Sequence, residues 1–282
     1  MVKSFVTRGN LLDFSTMEGL AESKNLDDML VKIRGTVYAD VVSSLESPLT
    51  SNKFEMSFHK HLSQIHYKML KVTPKNKILA AYYLKYIAHN LKILLKGRVQ
   101  NKSDKEISKH LDMYAEELIG RRDLIVKALA AENIEQTITL LENSEFGKNA
   151  ISALDMYRKT GEFQIFDIFI DKAYFDNILS AYNILHKDDD RIRDIVSVDI
   201  DAYNSLVVLR GKLWNLDSSE IKRLLISPFF DIPQRSLKAM IEADSAAESI
   251  KILQGTLYRK IILIKENVKE SILGIEDGFQ LM

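Results

Sequence analysis

Ile87, Leu91, Leu94 and Leu95 recur at helical spacing, and the pattern gives way within a few residues to a polar stretch. This predicts a long helix, a tight break and a second helix. The second helix marks its own start, because Ser103 is followed three residues on by Glu106. That is the spacing of a capping box, in which an N-cap oxygen and a carboxylate each satisfy a backbone donor. The whole arrangement returns: residues 90–107, NLKILLKGRVQNKSDKEI, align without a gap to residues 204–221, NSLVVLRGKLWNLDSSEI, at a constant offset of 114. Asn90/Asn204, Leu95/Leu209, Gly97/Gly211, Asn101/Asn215, Glu106/Glu220 and Ile107/Ile221 are identical, and the cations trade places, Lys96 for Arg210 and Arg98 for Lys212. Asp217 stands in for Ser103 and keeps the cap chemistry. At Gly97 and Gly211 the missing Cβ lets the chain leave the helix or another backbone come close.

Such a match is an internal repeat, and two further motifs extend it. Leu26, Leu30 and Ile33 form a helical stripe that Gly35 can close, with Thr36 placed to cap the next helix. The words IRGTVY at 33–38 return as LQGTLY at 253–258 and more faintly as LENSEF at 141–146. FEMSFHK at 54–60 pairs with FDIFIDK at 166–172, keeping phenylalanine, an acid and a lysine in register. GIEDGF at 274–279 is a partial third copy, with Ile275 and Glu276 in the phenylalanine and acid positions. Only four prolines occur, none between 75 and 227. Since a proline inside a helix costs about 3 kcal/mol, the expected fold is all-α. Breaks at Gly120–Arg122 and Ser227–Pro233 divide it into helical units at 1–119, 120–226 and 227–282, the third expected to be incomplete by one hairpin.

Composition narrows the function. Thirty-nine cations balance 39 acids, so no basic stripe is available to neutralise phosphates and nucleic acid is not an expected partner. The absence of cysteine removes disulfides, zinc thiolates, iron–sulfur clusters and thiol catalysis. The first residues, MVKSFVTRGNLLDF, lack the apolar core of a signal peptide, and no apolar window approaches the ~18 residues of a membrane span. Contact with a membrane is therefore expected through a partner, without direct insertion.

Candidate chemistry is sparse. Asp188, Asp189 and Asp190, with Asp194 beyond, suggest magnesium, but a pyrophosphate-binding pattern needs acids at i, i+1 and i+4, and Ile192 and Arg193 occupy those places; a solvated loop over His186–Arg193 is the reading preferred. His59, His61 and His66 lack the closer spacing and third ligand of a zinc site. Tyr82, Tyr83 and Tyr86 read as core rather than as a base-stacking platform. Nothing matches a phosphate loop, a GxGxxG turn, an HExxH helix or a GxSxG elbow, and neither a cofactor nor a catalytic residue is expected. Asn90 and Asn204, alike in place among apolar neighbours, read as register pins whose amides must find partners. Lys96, Arg98, Arg210 and Lys212 are candidates for partner contact, or else complement a helix C-terminus.

On Arg8-Gly9-Asn10-Leu11-Leu12, Thr36-Val37-Tyr38, Asn90-Leu91-Lys92 with Lys96-Gly97-Arg98, and Asp201-Ala202-Tyr203-Asn204 with Leu209-Arg210-Gly211-Lys212, the chain resembles the C subunit of archaeal-type (A/V-type) rotary ATPases, the equivalent of the d subunit of the vacuolar ATPase. The resemblance covers nearly the whole chain, and the order and spacing of these motifs are more specific than any one of them. The family has an aspartate three residues before the asparagine; Asp201 keeps it and Ile87 departs from it. The resemblance implies a funnel of three pseudo-symmetric helical units, a non-catalytic adaptor of the central stalk. One copy per complex would sit peripherally on the cytoplasmic face, on the proteolipid rotor ring, accept the central shaft and transmit torque for proton or sodium transport coupled to ATP. Against that pattern the first helix reads short and the last hairpin of the third unit absent. The alternative is a helical-repeat scaffold of an unrelated soluble complex, an open stack with nearest-neighbour contacts; a magnesium-dependent all-α lyase or transferase comes third.

Overall fold

The computed structural model describes residues 9–185, 190–227 and 231–280, and every regular element among them is helical. The chain runs through α1 (Phe14–Ala21), α2 (Leu26–Arg34), α3 (Ala39–Val42), α4 (Ser51–Val72), α5 (Lys77–Val99), α6 (Asp104–Ser108) and α7 (Tyr114–Leu118). It continues through α8 (Arg122–Leu129), α9 (Ile134–Leu141), α10 (Gly147–Thr160), α11 (Ile165–Leu185), α12 (Asp190–Leu213) and α13 (Ser218–Leu224). The remainder is α14 (Gln234–Glu242), α15 (Ala246–Gln254), a 3-10 turn at Leu257–Ile261 and α16 (Val268–Gln280). Helix α12 opens at Asp190, inside the span His186–Arg193 expected to be a loop. Asp188 and Asp189 of the acidic run lie outside the described residues, as do Arg8 of the first motif and Pro228 of the second break.

Local chemistry repeats at fixed offsets. Helices α8 and α14 begin 108 and 220 residues after α1, and α9 and α15 begin 108 and 220 after α2. Each of α2, α9 and α15 starts on the same cap: the side chains of Asn25, Asn133 and Ser245 accept from the backbone N–H of Asp28, Gln136 and Glu248. The side chains of those three residues in turn accept from the N–H of Lys24, Glu132 and Asp244. Each cap so satisfies two of the donors that a helix N-terminus leaves open. The same recurrence closes these helices. The hydroxyls of Thr36, Ser144 and Thr256 donate to the carbonyls of Ile33, Leu141 and Leu253. Each then accepts from the N–H two residues on, of Tyr38, Phe146 and Tyr258.

The long helices carry the packing. Helix α5 packs on α11 and also on α8 and α9, while α12 packs on α16 and on α14 and α15. Each long helix is thus seated in the group of helices that comes after it in sequence. One apolar core runs through these seats from Ala81 to Phe279. A separate small cluster, Leu30, Ile33, Val42 and Phe54, belongs to α2–α4.

The break after each long helix is made by asparagine rather than by glycine. Asn101 and Asn215 have φ of 56° and 54°, a left-handed conformation that asparagine tolerates better than most residues. Lys102 N–H donates to the Gly97 carbonyl and Leu216 N–H to that of Gly211, closing each helix with the 6→1 bond of a Schellman motif. Gly97 and Gly211 lie inside α5 and α12, and the group that comes close to each is a side chain: an added Cβ would fall 2.6 Å from Ile107 Cγ1 and 2.8 Å from Ile221 Cγ1. The capped helices α6 and α13, whose capping boxes are both formed, dock on their long helices through those isoleucines.

Gly97→Ala is accordingly expected to destabilise the fold by about 1–2 kcal/mol, overpacking outweighing alanine's helix preference. Combined with Ile107→Ala it should cost about 1 kcal/mol less than the two changes summed. Urea unfolding of the four proteins measures both; additive costs would show that the two positions do not collide.

Candidate functional site

Two polar clamps hold the hairpins. Asn90, buried in α5, donates to the Asp112 carbonyl at 2.7 Å and accepts from the Asp112 N–H at 3.1 Å. Asn204, buried in α12, does the same with Ile226, at 3.0 and 2.9 Å. One amide offers one donor and one acceptor to the carbonyl and N–H of a single residue, so each clamp ties the end of a capped segment back to its long helix. Asn90 donates also to Glu116 Oε1 at 2.6 Å. Glu116 is fully buried, and burial pushes its carboxyl up against the pull of that hydrogen bond.

The position three residues before each asparagine differs in kind. Asp201 is buried and accepts from the N–H groups of Asp231 and Ile232, both at 2.9 Å, and from the Tyr258 hydroxyl at 2.8 Å. Burial raises its carboxyl above the ordinary range, opposed by these donors, and raises the Tyr258 hydroxyl well above its own. In the earlier long helix Ile87 takes the aspartate's place, and Phe146 stands where Tyr258 stands later; both are fully buried. An aspartate with a hydroxyl donor in one place and two apolar side chains in the other satisfy the same rule for buried polar groups.

Three of the four cations named from the sequence are held within the chain. Lys96 of α5 pairs with Asp167 of α11 at 2.8 Å, and Arg210 of α12 pairs with Glu276 of α16 at 2.6 Å. Arg98, nearly buried, pairs with Asp104 at 2.7 Å and donates to the Leu129 carbonyl. Lys212 is partly exposed near the end of α12. A further pair, Lys92 with Asp171 at 2.8 Å, lies beside the first. Burial works against the charged Lys92, yet Asp171, Asp167 and Glu276 together outweigh it and hold the ammonium up. Burial likewise raises the Asp171 carboxyl against the pull of Lys92.

Two of these pairs, Lys92–Asp171 and Arg210–Glu276, wall a hollow of about 440 Å³ bounded by α4, α5, α11, α12 and α16, with His59 and Asp199 also among its lining residues. The sequence motifs name Asp167 and Glu276 as the recurring acid and Lys96 and Arg210 as the recurring cation, but nothing local joins the two motifs into pairs. Lys92, Asp171, Asp201, Glu116 and Tyr258 carry no local signal of their roles. Of the histidines, His66 Nδ1 meets the Tyr86 hydroxyl at 2.8 Å, His61 lies edge-on to Tyr38 and His59 lies against His89. Among the described residues no group of three or more histidines and acids is arranged to hold a metal ion, and no helix is long and apolar enough to cross a membrane.

Against known proteins, residues 3–282 match the family model described as ATP synthase (C/AC39) subunit. Relatives named as the C subunit of A-type ATP synthases include one from Methanocaldococcus jannaschii, 22% identical over 89% of this chain and 63% of that protein. Others come from Desulfurococcus sp., 26% identical over 94% of this chain and 70% of the relative, and from Pyrococcus horikoshii, 24% identical over 94% and 68%. The chain thus spans about two thirds of the length of these relatives.

Two outcomes are expected from this geometry. Tyr258→Phe should cost about 1–2 kcal/mol by removing a donor from a buried carboxylate. The double change Asp201→Ile with Tyr258→Phe, which installs the apolar pair of the earlier joint, should cost clearly less than the two single changes summed; additivity in urea unfolding would show that the two sites are uncoupled. Burial pushes His66 down to about 4, so the unfolded chain takes up a proton at a pH where the folded chain does not. Stability is therefore lost as pH falls from about 6.5 towards 4, by roughly 1–2 kcal/mol after allowance for the ring's remaining contact with solvent. His66→Phe should flatten that part of the pH profile, and an unchanged slope would place the acid sensitivity elsewhere.

Proposed function

The chain belongs to the ATP synthase (C/AC39) subunit family, and on that premise we propose that it is a non-catalytic central-stalk adaptor of an A/V-type rotary ATPase. In this reading it joins the central shaft to the proteolipid rotor ring from the cytoplasmic face and passes torque between them, so that proton or sodium movement is coupled to ATP. One copy serves each complex, and its three helical units, 1–119, 120–226 and 227–282, surround a common axis. The observation that carries the reading is the hollow. Residues from the first unit, His59 and Lys92, and from the last, Glu276 and Phe279, line it together with the middle unit's Asp171. Blocks that meet around one space favour a funnel over an open stack, in which first and last units would stay apart. The charged walls suit a polar shaft end, and with net charge at zero the grip on either partner rests on short-range contacts more than on long-range attraction.

The reading predicts that the tagged protein retains the detergent-solubilised rotor ring and the purified shaft at physiological salt, and that it hydrolyses no ATP alone. Failure to retain either partner would remove the adaptor role while leaving the family assignment intact.

A further inference from the structure

One buried carboxyl is left without the partners that the rest of the core supplies. Glu116 in α7 is 0% exposed. Its Oε1 accepts from the Asn90 amide at 2.6 Å, while Oε2, equally shut away from solvent, meets no donor among the described residues. Asp201, the buried carboxyl of the second joint, collects three donors. Asn90 has nothing more to give, because its other amide hydrogen goes to the Asp112 carbonyl and its oxygen to the Asp112 N–H.

Among the described residues no cation makes up the difference. Helix α7 packs against α4, α5 and α8. Arg121 stands at the N-cap of α8, but its two terminal nitrogens are forked onto Glu145, at 2.8 and 2.6 Å. From α5 comes Tyr83, whose hydroxyl is spent on the Ala115 carbonyl. From α4 come Tyr67, in the same aromatic cluster, and Lys60, whose ammonium lies over the ring of Tyr114. The remaining neighbour is Asp112, an acid itself. In sequence, the repeat has Phe230 in the place of Glu116, 114 residues on, an apolar residue for an acid.

We propose that Glu116 stays a neutral acid near neutral pH, its proton making the first joint a latch that alkaline conditions loosen. A neutral acid leaves one hydroxyl short of a partner, which costs far less than an unpaired buried charge. Burial drives the carboxyl the same way and Asp112 adds to it, against the pull of Asn90, the residue's own N–H and Arg121. The folded chain then holds a proton that the unfolded chain releases above about pH 4.3. The stability given by the neutral form is therefore complete below that value and declines as pH rises, until the folded carboxyl ionises as well. Ionisation would set a bare charge between α5 and α7, beside the Asn90 clamp. The proposal rests on the geometry of this joint and not on the adaptor role.

Urea unfolding of the wild type and Glu116→Gln from about pH 5 to about pH 8 tests it. Glutamine keeps an oxygen for Asn90 and cannot ionise. The variant should be at least as stable as the wild type near neutral pH, and its folding constant should gain on the wild type by up to about tenfold per pH unit. His66, present in both, cancels from the difference. NMR of the Glu116 carboxyl carbon in the wild type needs no substitution and should show the acid protonated near neutral pH. Over the range in which that carbon titrates, hydrogen exchange relative to the variant should quicken at Asp112 and in α7, and not at Ile226. A carboxyl ionised near neutral pH, a variant less stable by one margin at every pH, or exchange that quickens equally at both joints would overturn the proposal.

Discussion

The fold depends on a long helix finding its apolar partners in the helices that come after it. Helix α5 is buried on α11, α8 and α9, and α12 on α16, α14 and α15, so neither hairpin is stable by its own contacts. Such dependence would leave the chain free to slide unless something fixes the register, and the amides of Asn90 and Asn204 do so. Each meets the N–H and the carbonyl of one residue at once. Shifting the helix by one residue would strand a buried amide and two backbone groups, at about 1–3 kcal/mol for each group left unmet.

The two joints meet the same constraint with different chemistry. A buried carboxylate is tolerable only when several donors converge on it, and Asp201 has three: two backbone N–H groups and the Tyr258 hydroxyl. Remove the hydroxyl, as Phe146 does at the equivalent place, and the carboxylate loses its side-chain donor; Ile87 removes the carboxylate as well. Change at one position therefore favours change at the other, and where Ile87 stands in place of an aspartate, Phe146 stands in place of a tyrosine. The ionisable group of the first joint is instead Glu116, held by Asn90 from the far side of the hairpin.

Helix starts and ends are legible in the chain because caps are local chemistry: the boxes at Ser103–Glu106 and Asp217–Glu220, and the return of IRGTVY and its copies, mark them directly. Sequence alone points to glycine as the break, since Gly97 and Asn101 are only four residues apart and either can end a helix; the structure gives the turn to asparagine and the close approach to glycine. A run of acids suggests a loop over 186–193, yet α12 begins at Asp190. The ion pairs are not legible, because Lys96 and Asp167 sit 71 residues apart in motifs with different offsets.

The ion pairs around the hollow contribute little to stability, because side chains such as Lys92 and Asp171, at 25% and 31% exposure, still face water. Their effect is on the character of the wall. Lys85, Lys92 and Arg210 stand against Asp112, Asp171, Asp199 and Glu276, so the lining is strongly polar while its net charge is small. Such a wall exerts weak long-range pull on any partner, yet it resists collapse, since closing the hollow would desolvate every pair at once. A polar wall that neither attracts from afar nor closes on itself suits the linking role proposed above.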